Sequence, residues 1–246
     1  MHRFLVAPEL LAAPVVSLSA TESHHAAVVL RVTVGETVTL LDGQGTIASG
    51  TVASVSKREV HVAVTSRDRA RPRRGEVVLA VAVTKSKAWD LMLQKATELD
   101  VAGIIPLLTR HCVVKVDPSE RAKRRDDWQA AVAESTKQCG TPWMPQVGLP
   151  RTLAEWLGEP RRAGVGLVAA LAPGTREIGE VLEAHPEAQH VTIAIGPEGD
   201  FDAPELESLL RAGYAPVTLG PTILRADTAA VTAAAVVAHQ LRRRIG

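Results

Sequence analysis

The alternation of apolar and polar positions divides the chain into two stretches of different period. Across the first 75 residues the period is close to two. Thr37–Leu41 mixes β-branched and apolar residues, and the Asp42, Gly43, Gln44 and Gly45 that follow are turn chemistry. Further strands are predicted over 47–55 and 60–65, and a short helix over 19–31, opened by a Ser or Thr N-cap. This is material for a small β-barrel and too little for an enzyme core.

Beyond residue 75 the pattern becomes alternating β and α. Residues 76–83 (EVVLAVAV) form the continuous apolar run of a strand buried on both faces. Ala88, Leu91, Met92, Ala96 and Leu99 recur at helical spacing and predict a helix over 87–99. A strand at Gly103–Leu108 precedes a long helix with Ser119 as its N-cap and Trp128, Ala131, Val132, Ser135 and Cys139 as its apolar stripe. Strands at 165–171, 191–195 and 216–219 then alternate with helices at 177–184, 203–212 and 226–243. Such alternation predicts an α/β domain with a mainly parallel sheet and helices on both faces. The boundary falls at 67–74 (RDRARPRR), where five arginines and Pro72 suit an exposed linker.

Composition narrows the classes. The 246 residues are 46 % hydrophobic and 22 % charged, as in ordinary globular proteins. No run approaches the roughly 20 apolar residues of a membrane helix, and the N-terminus lacks the apolar stretch of a signal peptide. Cys112 and Cys139 are expected to be reduced thiols, and neither they nor His24, His25 and His111 have metal-site spacing, so no metal is expected. The net charge is +1, yet basic residues cluster at 67–74, at 121–125 and at Arg242, Arg243 and Arg244. Local patches of this kind suit nucleic acid and equally suit solvated surface. Trp89, Trp128, Trp143 and Trp156 read as core or interface residues rather than base-stacking platforms.

Ligands of open α/β sheets sit at the carboxyl ends of strands. Three such ends crowd the last third of the chain: Ala170, Leu171, Ala172, Pro173 and Gly174; then Ile195, Gly196, Pro197, Glu198 and Gly199; then 219–228 (LGPTILRADT). None carries a phosphate loop or a G-x-G-x-x-G fingerprint. The second could be a plain turn before a helix capped by Asp202. In the third, Ile223 and Leu224 can form an apolar wall beside Arg225, Asp227 and Thr228, although Asp227 and Thr228 could simply cap the last helix.

Taken together these segments resemble the SPOUT methyltransferases, and within them the 16S ribosomal RNA uridine-N3 methyltransferase family. The resemblance rests on HHAAVVLRVTVGE (24–36), LDG (41–43), LQKATEL (93–99), Ile104, Pro106 and Leu107, TRH (109–111), KQC (137–139), IGPEG (195–199) and LGPTILRADTA (219–229). It implies a PUA-like RNA-binding β-barrel over 1–72 and, over 73–246, a trefoil-knotted domain binding S-adenosylmethionine. It further implies a cytoplasmic homodimer that methylates N3 of a uridine in the decoding region of 16S RNA within the small ribosomal subunit. The chain departs from the family pattern at Asp100, Gly140, Thr141, Asp200 and Asp227, the last replacing a glutamate.

By the same resemblance, Ala170, Leu171, Ala172, Ile195, Gly196, Pro197, Glu198, Gly199, Leu219, Gly220, Ile223, Leu224, Thr228 and Ala229 would hold the cofactor. Arg225, with Glu198 and Asp227, would serve catalysis. Arg3, His25, Arg31, Lys57, Lys85, Lys87, Arg110, His111, Lys137 and Gln138 would contact RNA. The competing readings are a SPOUT methylase acting on a ribose hydroxyl or on another ribosomal or transfer RNA position, and an RNA-binding or ribosome-assembly protein that has lost catalysis.

Overall fold

The computed structural model describes residues 1–73, 75–160, 162–172 and 174–244, without the side chain of Arg244. Arg74 and Pro173, singled out above, therefore lie outside the described residues, as does the Arg244 side chain. The chain forms two compact units, one of Met1–Pro72 with Ala133–Met144, the other of Arg73–Val132 with Pro145–Gly246.

The first unit is built on β1 (His2–Leu5), β2 (Val15–Ser17), β3 (Thr37–Leu41), β4 (Thr46–Val55) and β5 (Val60–Arg69), in sheet order β1-β3-β4-β5-β2. All neighbours are antiparallel except β1 and β3. Ser19 caps helix α1 (Ala20–His24) by accepting from Glu22 N–H, and the helix continues as a wider π turn over His25–Leu30. That turn stops at Arg31, whose φ is 56°. Phe4, Val16, Val38, Leu40, Val52, Val60 and Val62 fill the core, alternate positions of each strand pointing inward. The short strands β1 and β2 have no readable period, and the sequence gives no sign of them.

Residues 42–45 are the turn that the sequence predicts. The buried Asp42 carboxylate accepts from the N–H groups of Gln44 and Thr46 at 2.7 and 2.8 Å, closing an Asx turn. Gly45, at φ 100°, lies against the Trp143 indole and donates to Pro142 O. The indole N–H donates to Arg71 O at 3.2 Å, and the Arg69 guanidinium stands 5.1 Å from its ring centroid. An added Cβ at Gly45 meets both the ring and a disfavoured backbone. Gly45→Ala is expected to cost about 2–3 kcal/mol in urea unfolding, and an unchanged midpoint would contradict this packing.

In the arginine-rich segment Arg67, Asp68, Arg69, Arg71 and Pro72 are exposed, as its composition suggests, but its first part is strand rather than linker. Arg67 and Arg69 belong to β5, where Arg67 Nε donates to Leu11 O at 2.5 Å and Arg69 Nη1 to Thr46 Oγ1 at 2.9 Å. In the second unit Arg73 pairs with Asp100 at 2.9 Å. Within the segment guanidinium donors find carbonyl, hydroxyl and carboxylate acceptors at short range.

In the second unit β6 (Glu76–Ala82), α2 (Ser86–Glu98), β7 (Gly103–Leu108) and α3 (Arg121–Cys139, of which the last seven residues belong to the first unit) come first. Then follow β8 (Gln146–Val147), β9 (Arg151–Thr152), α4 (Leu153–Leu157), β10 (Val165–Ala169), β11 (Arg176–Glu177), α5 (Ile178–Glu183) and β12 (His190–Ile195). The chain closes with α6 (Ala203–Arg211), β13 (Tyr214–Thr218) and α7 (Ala226–Arg244). The sheet runs β11-β13-β10-β12-β6-β7-β8, with β9 also on β7, and every pairing is parallel. Ala80, Val168 and Ala194 on one face pack with Leu153 and Trp156 of α4 and Leu209 of α6. Helix α7 packs on β6 and β12 and against α2 and α5. Trp89 and Trp128 pack with ring centroids 5.0 Å apart and planes tilted by 51°, and Trp156 lies 5.4 Å from Tyr214, so these three indoles are core.

Three sequence expectations shift. Ser119 does not cap the long helix: a 3-10 turn, Pro118–Glu120, precedes α3, and the Asp117 carboxylate caps that turn by accepting from Ser119 N–H at 2.9 Å. Strand β10 ends at Ala169 rather than 171, since Leu171 turns out to solvent. Strand β13 starts at Tyr214, two residues before the expected 216, and ends at Thr218. Pro216, which suggested a strand start, sits mid-strand.

Candidate functional site

Strands β13, β10 and β12 are neighbours, so their carboxyl ends bring together the three loops that follow them. Between these loops lies an open cleft, lined by residues of all three. Of the residues predicted for it, Ala170, Leu171, Ile195, Gly196, Pro197, Glu198, Leu219, Gly220, Leu224 and Ala229 line it. Ala172, Gly199, Ile223 and Thr228 do not line it, and Ile223 is 79 % exposed at the rim. Arg225 and Asp227 stand beside the lining residues Leu224 and Ala226, with Arg225 exposed and Asp227 in the first turn of α7.

Ala169, Asp200, Val217, Thr218, Thr222 and Ala226 complete the wall and were not assigned to the cofactor from sequence, Asp200 standing out only as a departure from the family pattern. Thr222 and Ala226 lie inside the LGPTILRADTA motif and could have been found there. Ala169 and Val217 are reached only through strand register, since β10 and β13 pair there.

Among the described residues, the charged side chains lining the cleft are Glu198 and Asp200, both acidic. Among the described residues no Lys, Arg or His lines it. An acidic wall repels phosphate esters and attracts cations, which agrees with the missing phosphate loop. Val217, Leu224, Ala226 and Ala229 give the wall its apolar part, and Thr218 and Thr222 add hydroxyls.

The second loop is tightly folded. Gly196 is buried, and a Cβ there would come within 2.9 Å of Asp200 Oδ1 and 3.0 Å of Phe201 N. Asp202 caps α6 by accepting from Glu205 N–H at 2.8 Å, and Glu205 accepts from Asp202 N–H in return. Gly196→Ala is expected to displace this loop and weaken ligand affinity for the cleft roughly ten-fold or more. Calorimetry on the variant, with circular dichroism to verify folding, checks this; wild-type affinity would show that the loop has room.

The residues proposed for RNA fall into two groups. Arg31, Lys57, Lys85, Lys87 and Gln138 are exposed, and His25 is half-buried. Others are engaged within their own units. Arg3 Nη1 donates to the carbonyls of Lys137 and Gln138 at 3.1 and 2.9 Å. Lys137 is buried, its ammonium 2.7 Å from Glu22 Oε1 and from Glu134 Oε1. Burial lowers the Lys137 pKa, but the hydrogen bonds and charges of Glu134 and Glu22 outweigh it, and the net shift is upward. Arg110 pairs with Asp202 at 3.3 Å, and His111 Nδ1 lies 3.2 Å from the carbonyl oxygens of Gly199 and Asp200. Arg110 and His111 thus fasten the loop after β7 to the second cleft loop.

Residues 71–238 match the RNA methyltransferase domain family and residues 18–65 the RNA methyltransferase PUA domain. The chain is 31 % identical to ribosomal RNA small subunit methyltransferase E of Mycobacterium bovis over 215 residues, covering 86 % of this chain and 81 % of that one. It belongs to the ribosomal RNA small subunit methyltransferase E family. A Neisseria gonorrhoeae structure of that name, bound to S-adenosylmethionine, superposes with a TM-score of 0.87 at 26 % identity over 96 % of both chains. A Legionella pneumophila methyltransferase in complex with the same cofactor gives 0.87 at 30 % identity, again over 96 % of both. Membership of the methyltransferase E family makes the parallel sheet the core of a SPOUT methyltransferase domain and the first unit's sheet a PUA-like one.

Proposed function

We infer that this protein uses S-adenosylmethionine to methylate N3 of a uridine in 16S ribosomal RNA. The observation that carries the reading is the acid-lined, apolar cleft at the three loop ends of a methyltransferase E family member. Its walls fit the cofactor: Val217, Leu224, Ala226 and Ala229 suit an adenosine, and Glu198 and Asp200 suit positive charge. Bound there, S-adenosylmethionine supplies an electrophilic methyl group on a cationic sulfur.

The protein's own part is to position uracil and to manage one proton. N3 must lose its hydrogen before it can act as a nucleophile, and negative charge then spreads to the two uracil carbonyl oxygens. Arg225, exposed beside the cleft, offers guanidinium donors to that charge. Glu198 or Asp227 takes the N3 proton or orients Arg225. Backbone groups of Leu171, Ile195 and Leu219, which line the cleft, would hold the cofactor, and the loops would keep the reacting atoms close enough for in-line transfer.

The same reading assigns RNA capture to the PUA-like domain over 1–72 and catalysis to a knotted domain over 73–246, working as a homodimer on the small ribosomal subunit in the cytoplasm. Exposed Arg31, Lys57, Lys85 and Lys87 support RNA contact. Among the described residues no helix is long and apolar enough to cross a membrane. The test is to incubate unmethylated small subunits with the protein and methyl-labelled cofactor, then digest the RNA to nucleosides. Label in 3-methyluridine is expected; label in a 2′-O-methylnucleoside, or none, would refute the assignment.

A further inference from the structure

Asp200 stands where the family pattern has glycine, and the structure gives its carboxylate a defined place. Its backbone is left-handed, with φ 58°. That conformation is disfavoured for a non-glycine residue, less for Asp than for most. The side chain spans two cleft loops: Oδ2 accepts from Leu171 N–H at 3.3 Å in the first loop, and Oδ1 from Phe201 N–H at 2.8 Å in the second. Both donors are neutral. Among the described residues no Lys, Arg or His side chain forms an ion pair with Asp200. The carboxylate lines the cleft, half-buried and held from two sides, whereas Glu198 is exposed. A fixed negative charge in a partly apolar wall, with no counter-charge of its own, favours a cationic occupant over a neutral one of the same shape.

We propose that Asp200 is a specificity-determining residue, favouring the cationic sulfonium of S-adenosylmethionine over the neutral thioether of its demethylated product, S-adenosylhomocysteine. The two ligands share the adenosine and the amino-acid end and differ by one methyl group and one positive charge. The carboxylate therefore strengthens donor binding relative to product and eases exchange of one for the other. This rests on the cleft being the cofactor site.

Calorimetric titration of both ligands into wild type, Asp200→Asn and Asp200→Gly separates the possibilities. Asn removes the charge and keeps an acceptor for only one of the Leu171 and Phe201 N–H groups, its NH2 facing the other; Gly relieves the backbone strain and removes the side chain. The donor-to-product affinity ratio is expected to fall about tenfold in both variants, or roughly 1.4 kcal/mol, and the wild-type ratio to shrink as salt rises. A ratio unchanged in both variants overturns the proposal, including the case where both ligands weaken equally because Asp200 is merely a brace between loops. Wild-type protein that binds neither ligand is a different failure, which removes the cofactor site itself.

Discussion

Lys137→Met is expected to destabilise the protein by about 3–5 kcal/mol, a large part of the roughly 5–15 kcal/mol that holds a typical domain folded. The substitution keeps the length of the side chain and removes its charge. It strands the Glu22 carboxylate, which is buried and whose Oε2 already has no hydrogen-bond partner among the described residues. Glu134, on the solvent side, loses little. Adding Glu22→Gln to Lys137→Met should recover part of the loss, because the stranded charge is then gone. Chemical unfolding of the two variants and the double variant gives the coupling directly. Additive effects would mean that the two side chains do not meet.

The pair also fixes a pH dependence. The Lys137 pKa is raised above its ordinary 10.5, burial opposing and Glu134 and Glu22 more than compensating. A group with a raised folded-state pKa stabilises fully below its unfolded pKa and loses that contribution as pH rises through the folded value. The contribution of the raised Lys137 pKa is therefore constant around neutral pH and declines above about 10.5.

Arg225→Ala is expected to lower the methyl-transfer rate about 10²–10³-fold, the usual effect of removing one donor to developing negative charge. Cofactor affinity should stay within about twofold, since Arg225 does not line the cleft. Arg225→Lys should recover only part of the rate, because an ammonium cannot offer the planar pair of donors. Single-turnover kinetics with saturating small subunits separate the chemical step from binding. A variant that binds RNA and turns over at the wild-type rate would remove Arg225 from the mechanism.

The sequence was most readable where local chemistry decides the outcome. The EVVLAVAV run is β6, the LQKATEL segment closes α2, and Asp202 caps α6 as its position before the helix suggests. The loops after β10, β12 and β13 also stood out, because Gly and Pro crowd strand ends there. What escaped depends on contacts between residues distant in sequence. Lys137 looks like an exposed helix cation until Glu22, 115 positions away, is seen beside it. Membership of 133–144 in the first unit rests on such contacts too, with Trp143 packed against Gly45 and Arg69. Asp200 read as a departure from pattern, and its reach to Leu171 depends on how two separate loops fold.

Isothermal titration of S-adenosylmethionine into the purified protein, with and without small-subunit RNA, tests the cofactor cleft most directly. The account predicts saturable binding at no more than one site per chain, markedly weakened in Gly196→Ala. Wild-type protein that binds no S-adenosylmethionine, even with RNA present, would contradict it.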